Sequence, residues 1–193
     1  MPRRLAPSTV HRRGFTLIET LMVVAVVGAM MAIVVPRMRI SESTEAQLAA
    51  MQLAQDLDLT RTRALSTRSM SRVFFNPGTS SSYSGFLDDN ADSTITQSSS
   101  EQLALQAFGT RPLPARIMIG RGSVPNAPGD SGTGAVSFAN SYVDFDTRGL
   151  PRPMGTSGAI YLQHMTDPSI VVAVVVSPSG SVRLWTWKSG GWQ

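Results

Sequence analysis

The sequence predicts an α+β protein in which a long N-terminal helix, first transmembrane and then amphipathic, packs on a C-terminal antiparallel β-sheet domain. Three observations predict this class. An apolar run stands near the start, a segment with helical spacing follows it, and short strand-like stretches separated by Gly, Ser, Pro and Asn make up the rest. The 193 residues suffice for one ordinary domain and an anchor, but not for two sizeable cores.

The basic charge of the chain is concentrated at its start. The isoelectric point is about 10.3. Residues 1–14 hold four of the seventeen basic residues and no acidic residue, so thirteen residues of each sign remain beyond them. A near-neutral chain behind a basic leader does not indicate nucleic-acid binding. Because cysteine is absent, a disulfide framework and a cysteine-ligated zinc are excluded.

The apolar run extends from Phe15 to Val35 (FTLIETLMVVAVVGAMMAIVV). As a helix it would span about 30 Å, the thickness of a bilayer core. Basic residues precede it, so the positive-inside rule predicts a cytoplasmic leader and an extracytoplasmic remainder. A cleavable secretory signal, with its apolar region of about 7–15 residues, fits less well. Neither that signal nor a plain single-span anchor gives Glu19 a role.

Glu19 is the one ionisable residue in this run. An ionisable group inside an apolar span costs about 2.5–3.5 kcal/mol on insertion scales, and it is a functional-site candidate for that reason. A suitable partner is a free amine on Phe15, which cleavage after Gly14 would create and a neighbouring subunit could supply. The residues alone therefore make Glu19 a functional-site candidate.

Residues 12–19 (RRGFTLIE) resemble the type III signal of type IV pilins and type II secretion pseudopilins. The resemblance implies that a prepilin peptidase cuts after Gly14 and methylates Phe15, and that Glu19 assists subunit docking. Pro36 falls where many members of this family carry a helix-bending proline. The implied fold is pilin-like, the implied location is the inner membrane with the C-terminal domain in the periplasm, and the implied partners are other pilins or pseudopilins. No cofactor is implied.

Beyond Pro36, small and apolar residues recur at intervals of three, four and seven residues. This spacing places them on one face of a helix. They are Ala46, Ala49, Ala50, Leu53, Leu57 and Ala64. We expect a helix to about Met70 whose arginines form a solvated face. The predicted organisation is a leader at 1–14, a transmembrane and assembly helix at 15–36, its amphipathic extension at 37–71 and a β domain at 72–193.

Nine strands are predicted in the C-terminal domain, with a hairpin at its end. They are Arg72–Asn76, Ser84–Leu87, Gln102–Phe108, Arg116–Gly120, Ala135–Phe138, Val143–Asp146, Ala159–His164, Ile170–Ser177 and Val182–Trp187. The continuous apolar run at 170–176 predicts a strand buried on both faces. Residues 120–134 have too little apolar content for a core and predict a mobile loop.

Three segments of this domain resemble one branch of the family, the H-type minor pseudopilins and the minor pilins related to the fimbrial T protein. They are Ser84–Asp92 (SGFLDDNAD), Phe145–Pro151 (FDTRGLP) and Ser179–Arg183 (SGSVR), in the order found in that branch. The resemblance implies a minor subunit of a type II secretion pseudopilus. The alternative is a minor type IV pilin that takes part in pilus assembly or DNA uptake.

Two candidate sites remain besides the C-terminal tail. Asp88, Asn90 and Asp92 occupy the first ligand positions of a calcium loop, but Ser93 replaces its glycine and Ser99 its bidentate glutamate, so no metal is expected. His164 has no identifiable partner, and no group of residues supplies a nucleophile with its base, so we expect no enzyme.

The C-terminal tail interleaves aromatic residues with Arg183 and Lys188, a composition that can contact bases or sugars. DNA-uptake minor pilins of the resembled branch contact DNA through a Gly-Arg-x-Arg turn. Here Gly180 and Arg183 match that turn, but Ser181 replaces its first arginine. Nucleic acid is therefore a partner only in the alternative interpretation. An exported enzyme or carbohydrate-binding domain with one membrane span is the rival from another class.

Overall fold

The computed structural model describes residues 15–34, 41–78, 80–105 and 108–193. These residues form two units, which are the helix α1 (Leu17–Val34) and a domain from Ser41 to Gln193. The leader with Gly14, and Pro36 with its predicted kink, lie outside the described residues.

The domain begins with the helix α2 (Glu42–Thr67), whose buried face is the predicted one. All six small and apolar residues that the spacing placed on this face are buried. The helix ends three residues before the expected Met70, because Arg68 adopts the left-handed conformation with φ 55° and ψ 33°. A residue in this conformation stops the α-helical hydrogen-bond pattern.

In the described residues beyond α2, ten strands, a short α-helix and a 3-10 helix (Ala139–Ser141) follow. In chain order the strands and the α-helix are β1 (Ser71–Asn76), β2 (Ser82–Leu87), α3 (Ser99–Leu105), β3 (Thr110–Pro112), β4 (Ile117–Ile119), β5 (Tyr142–Phe145), β6 (Pro151–Arg152), β7 (Gly158–His164), β8 (Val171–Val176), β9 (Val182–Lys188) and β10 (Gly191–Trp192). They form two five-stranded sheets. The first has the order β3-β2-β1-β5-β6 and the second the order β10-β9-β8-β7-β4. Every pairing is antiparallel, as predicted.

The core lies between α2 and both sheets. The small residues of α2 let the helix approach strands such as β8, of which all six residues are buried. Val172, Val174 and Val176 belong to the cluster that includes α2, whereas Val171 and Val175 belong to a second cluster. This confirms the predicted strand that is buried on both faces, because successive side chains point to opposite sides of a sheet.

One buried acid joins α2 to the first sheet. Asp56 is 3% exposed. Its carboxylate accepts a hydrogen bond of 2.6 Å from the hydroxyl of Tyr83 on β2, and it lies 2.7 Å from Nε of Arg111 on β3. Gln52 donates a further hydrogen bond of 3.3 Å. Burial and the hydrogen bond to Asp56 raise the pKa of Tyr83. A buried charge is tolerated when it is paired and hydrogen-bonded in this way.

Two predicted strands are wrong. Residues 99–105, which overlap the predicted strand Gln102–Phe108, form α3 instead. The backbone N–H of Glu101 donates to the Ser98 hydroxyl, and the Glu101 carboxylate accepts from the backbone N–H of Ser98, both at 3.3 Å. This capping box starts a helix. The predicted strand Ala135–Phe138 makes only an isolated bridge, from Val136 to Ile160. Strands β3, β6 and β10 were not predicted.

The prediction that residues 120–134 contribute nothing to a core is also wrong. The segment has no regular strand, but Val124 and Ala127 are buried in the second cluster, against β7 and β8. The hydroxyl of Tyr161 accepts a hydrogen bond of 2.9 Å from the backbone N–H of Ala127 and donates one of 2.6 Å to Asp130. A few buried side chains and this tyrosine are enough to hold the segment on the outer face of the second sheet.

Candidate functional site

The start of α1 carries the residues that the sequence assigned to processing and assembly. Phe15 is 79% exposed and lies two residues before the helix. The hydroxyl and the carbonyl oxygen of Thr16 accept hydrogen bonds of 3.3 Å and 3.1 Å from the backbone N–H of Glu19. Threonine three residues before glutamate is the sequence pattern of a capping box, and an acid in the first turn interacts favourably with the helix dipole.

Most of the described side chains of α1 are apolar, and those of residues 17–32 are exposed. They include Leu17, Ile18, Met22, Val24, Met30 and Met31, each more than half exposed within this unit. Glu19 is likewise exposed, so its carboxylate is accessible to a partner outside the unit. In the part of the chain that the structure describes, no helix combines the length and the apolar character needed to cross a membrane.

Arg61 of α2 brings together two of the segments that carry the sequence resemblance. Its Nε donates a hydrogen bond of 2.9 Å to the carbonyl oxygen of Gly149, and its Nη2 donates one of 3.4 Å to that of Ser179. Gly149 lies in the turn between β5 and β6, and Ser179 in the turn between β8 and β9. The arginines of this helix were predicted to form a solvated face. Arg61 instead ties one turn of each sheet to α2.

Both turns need glycine at this junction. Gly149 and Gly180 have φ of +69° and +78°, a region that favours glycine. A Cβ on Gly180 would lie 2.5 Å from the carbonyl oxygen of Gly149 and 2.8 Å from Nε of Arg61. The junction therefore leaves no room for a side chain.

The acidic turn proposed as a calcium loop uses its side chains to hold its own backbone. Asp88 accepts a hydrogen bond of 2.9 Å from the backbone N–H of Ser93, and Asn90 accepts one of 3.1 Å from that of Asp92. Asp92 accepts one of 2.7 Å from Thr94. Within the described ranges, no three His, Cys, Asp or Glu side chains are grouped so that they could hold a metal ion.

His164 is fully buried at the end of β7 and has a structural environment. Its Nδ1 accepts hydrogen bonds of 3.2 Å and 3.3 Å from the backbone N–H groups of Thr166 and Asp167. Its Nε2 lies 3.8 Å from a carboxylate oxygen of Glu45, which also pairs with Arg116 at 2.7 Å. These two hydrogen bonds hold the ring against the turn that follows β7. The proximity of Glu45 on α2 to His164 could not be identified from the sequence.

The two cations of the C-terminal tail are exposed on β9 but line different clefts. Arg183 borders a cleft of about 400 Å³ beside Trp185, between the β8–β9 turn and residues 128–129. Lys188 borders another, of about 450 Å³, beside Trp187. The structure therefore does not bring Arg183 and Lys188 together at one cavity.

Comparison with known proteins agrees with the N-terminal prediction. Residues 10–35 match the family model of the prokaryotic N-terminal methylation motif. No curated protein matches the chain. The fold is similar to the crystal structure of the type IV minor pilin FimU from Pseudomonas aeruginosa, with a TM-score of 0.48 and 15% identity over 77% of this chain and 92% of that chain. The family model covers 26 of the 193 residues, so the comparison identifies a prokaryotic N-terminal methylation motif at the start of the chain.

Proposed function

We propose that the protein is a minor pseudopilin of a type II secretion system, a structural subunit of a periplasmic pseudopilus and not an enzyme. One observation carries the proposal. A helix with exposed apolar side chains begins two residues after Phe15, is capped by Thr16, and bears Glu19 in its first turn. An accessible acid beside the predicted new N-terminus is placed to pair with the terminal amine of another copy of such a helix.

The proposed route to the filament begins in the inner membrane. The 21-residue apolar run from Phe15 and the basic leader support an anchor with its leader in the cytoplasm and its C-terminal domain in the periplasm. A prepilin peptidase cuts after Gly14 and methylates Phe15. Glu19 then pairs with the N-terminal amine of a neighbouring pseudopilin, and this ion pair draws the subunit from the bilayer into the filament. The sheet domain presents a surface to other subunits.

The test replaces Glu19 in the full-length protein and measures processing and assembly separately. Mass spectrometry of the mature N-terminus is expected to show cleavage after Gly14 and a methylated Phe15 in both the wild type and Glu19→Ala. Cross-linking in cells is expected to show that Glu19→Ala no longer enters the filament. Glu42→Ala is the matched control, because it removes an acid from the first turn of α2. Normal assembly of Glu19→Ala would refute the proposed pairing, and an intact leader in the wild type would refute processing.

A minor type IV pilin that takes part in DNA uptake is the second candidate. It is favoured by the exposed position of Arg183 at a cleft that Trp185 also lines. DNA binding by the full-length protein in detergent should then weaken as salt rises, and Arg183→Gln should reduce it. Lys188→Gln is the control for the other cleft. Equal binding by the wild type and Arg183→Gln would remove the support for this candidate.

A further inference from the structure

The outer face of the first sheet carries a row of charged side chains. The register places Arg72 opposite Asp144 and Asp144 opposite Arg152, on three adjacent strands. Arg72 binds both oxygens of Asp144, at 2.6 Å and 2.8 Å, and its guanidinium lies 3.7 Å from the ring centroid of Tyr142. Burial acts to lower the pKa of Arg72, but the hydrogen bonds and charge of Asp144 outweigh it and raise the pKa. Both oxygens of the Asp144 carboxylate therefore already accept hydrogen bonds from Arg72.

Arg152 ends this row on β6, the outermost strand of the sheet. Its Nη1 lies 2.9 Å from Sδ of Met70, and a thioether sulfur is a weak acceptor. Across residues 15–34, 41–78, 80–105 and 108–193, no carboxylate oxygen lies within 4.0 Å of this guanidinium. A guanidinium offers five N–H donors in a geometry that fits a carboxylate. Arg152 thus has unused capacity for an anion.

Two cavities meet at Arg152. The first has a volume of about 480 Å³, and its apolar wall is formed by Ile95, Phe138 and Tyr142. The second, of about 610 Å³, has the exposed side chain of Met154 in its wall. Cavities of this size hold a large side chain with its backbone. A ligand that reaches Arg152 therefore meets apolar side chains in the first cavity, whereas the second also presents Asp146 and Arg148.

We propose that Arg152 and the first cavity bind an acidic peptide segment. An Asp or Glu side chain of the peptide pairs with Arg152 and continues the alternation of charges, and a neighbouring apolar side chain enters the cavity. Pro151 and Pro153 lack backbone N–H groups, so an added strand would gain few hydrogen bonds and the side chains carry the recognition. This inference goes beyond the proposed function and does not depend on it.

The charge around the cavities favours one carboxylate over a polyanion, because Arg72 and Arg148 in their described linings already pair with Asp144 and Asp146, and Arg152 does not. Ser93 lines both cavities, and it follows directly on the exposed Asp92. Asp89 is exposed in the same turn. A nucleic acid would bring several phosphates close to these carboxylates, whereas a peptide with a single acid opposite Arg152 would not.

The test measures peptide binding by the full-length protein in detergent micelles. The probe is the peptide acetyl-Gly-Phe-Glu-Gly-Gly with a fluorescein at its C-terminus, and the comparison probe has Gln in place of Glu. Fluorescence anisotropy is expected to show saturable binding of the Glu peptide by the wild type. The wild type should bind the Gln peptide at least about tenfold more weakly, and Arg152→Gln should bind the Glu peptide about tenfold more weakly. Both losses correspond to the loss of a charge-assisted hydrogen bond.

Arg63→Gln is the matched control, because it removes an exposed arginine of α2 and changes the net charge equally. It is expected to bind as the wild type does. Arg152→Lys, which keeps the charge but loses the paired N–H geometry, is expected to bind with intermediate affinity. No saturable binding of the Glu peptide below about 1 mM, equal binding by Arg152→Gln, or equally effective competition by inorganic phosphate or a single-stranded 20-mer DNA would overturn the proposal.

Discussion

Replacement of Asp56 should destabilise the domain more than replacement of any exposed acid on the same helix. The carboxylate is 3% exposed and holds the hydroxyl of Tyr83 at 2.6 Å and Nε of Arg111 at 2.7 Å. Asp56→Ala removes both interactions and leaves the Tyr83 hydroxyl buried without its partner. A lost hydrogen bond to a charged group costs about 1.5–3 kcal/mol and an unpaired buried group about 1–3 kcal/mol. Because the side chain of Arg111 is 39% exposed, water can replace its partner.

We therefore expect Asp56→Ala to lower the free energy of unfolding by about 3–5 kcal/mol and the melting temperature by about 10 °C. Tyr83→Phe should cost only about 1–2 kcal/mol, since the carboxylate keeps Arg111. The double variant should lower the free energy of unfolding by about 1–2 kcal/mol less than the sum of the two single variants, because both changes remove the same hydrogen bond.

The assay is urea denaturation of the full-length protein in detergent, followed by tryptophan fluorescence. Asp58→Ala is the control, because Asp58 is exposed on the same helix and its loss should change stability by no more than about 0.5 kcal/mol. A cost below about 1 kcal/mol for Asp56→Ala, or additive costs in the double variant, would refute the reasoning. Either result would mean that Asp56 and Tyr83 do not act as a coupled pair between α2 and the first sheet.

Three further outcomes are expected. Gly180→Ala should destabilise by about 1–3 kcal/mol, because its Cβ would lie 2.5 Å from the carbonyl oxygen of Gly149; an unchanged melting temperature would contradict this. Arg61→Met should cost about 1–2 kcal/mol through two lost hydrogen bonds, and proteolysis should then cut the two adjacent turns faster. Burial and a hydrogen bond to an aspartate raise the pKa of Tyr161 to about 12. The stability it contributes is therefore present below about pH 10 and lost between about pH 10 and pH 12, and Tyr161→Phe should reduce this alkaline loss in a pH series of urea titrations.

Local sequence patterns were sufficient to predict an element where one physical factor, the burial of apolar side chains, determined its structure. The face of α2 could be predicted because small residues recur at helical spacing and the helix packs on sheets over most of its length. The strand β8 could be predicted because an apolar run of six residues has no polar side to expose. The division of the strands into two sheets could not be predicted, because register and order depend on contacts between distant segments.

The helix α3 shows how two local signals can compete. Its second half, residues 103–105, is a short apolar run, which also suits a strand. The capping box of Ser98 and Glu101 favours the helix, and tertiary packing supports it. A Cβ on Gly85 of β2 would lie 2.2 Å from a methyl carbon of Leu105, so this strand leaves space for α3 at a glycine. The pattern Ser-x-x-Glu was the available signal.

The roles of Arg61 and Arg152 could not be predicted from their neighbours in the chain. Arg61 hydrogen-bonds carbonyl groups 88 and 118 positions away, and Arg152 contacts Met70, 82 positions away. In the sequence both are isolated cations, a type that is most often solvated. Glu19 differs, because its apolar surroundings are contiguous in sequence and make the charge conspicuous without a structure.

A near-neutral total charge beyond the leader does not mean that every cation of the domain is paired. Among the described arginines that line the cavities named above, Arg72 and Arg148 have carboxylate partners, whereas Arg152 and Arg183 have none within 4.0 Å. Arg152 lies on the first sheet and Arg183 on the second. Binding at one should therefore not require the other. Loss of peptide binding in Arg152→Gln with DNA binding unchanged, and the reverse in Arg183→Gln, would assign the two ligands to separate sheets.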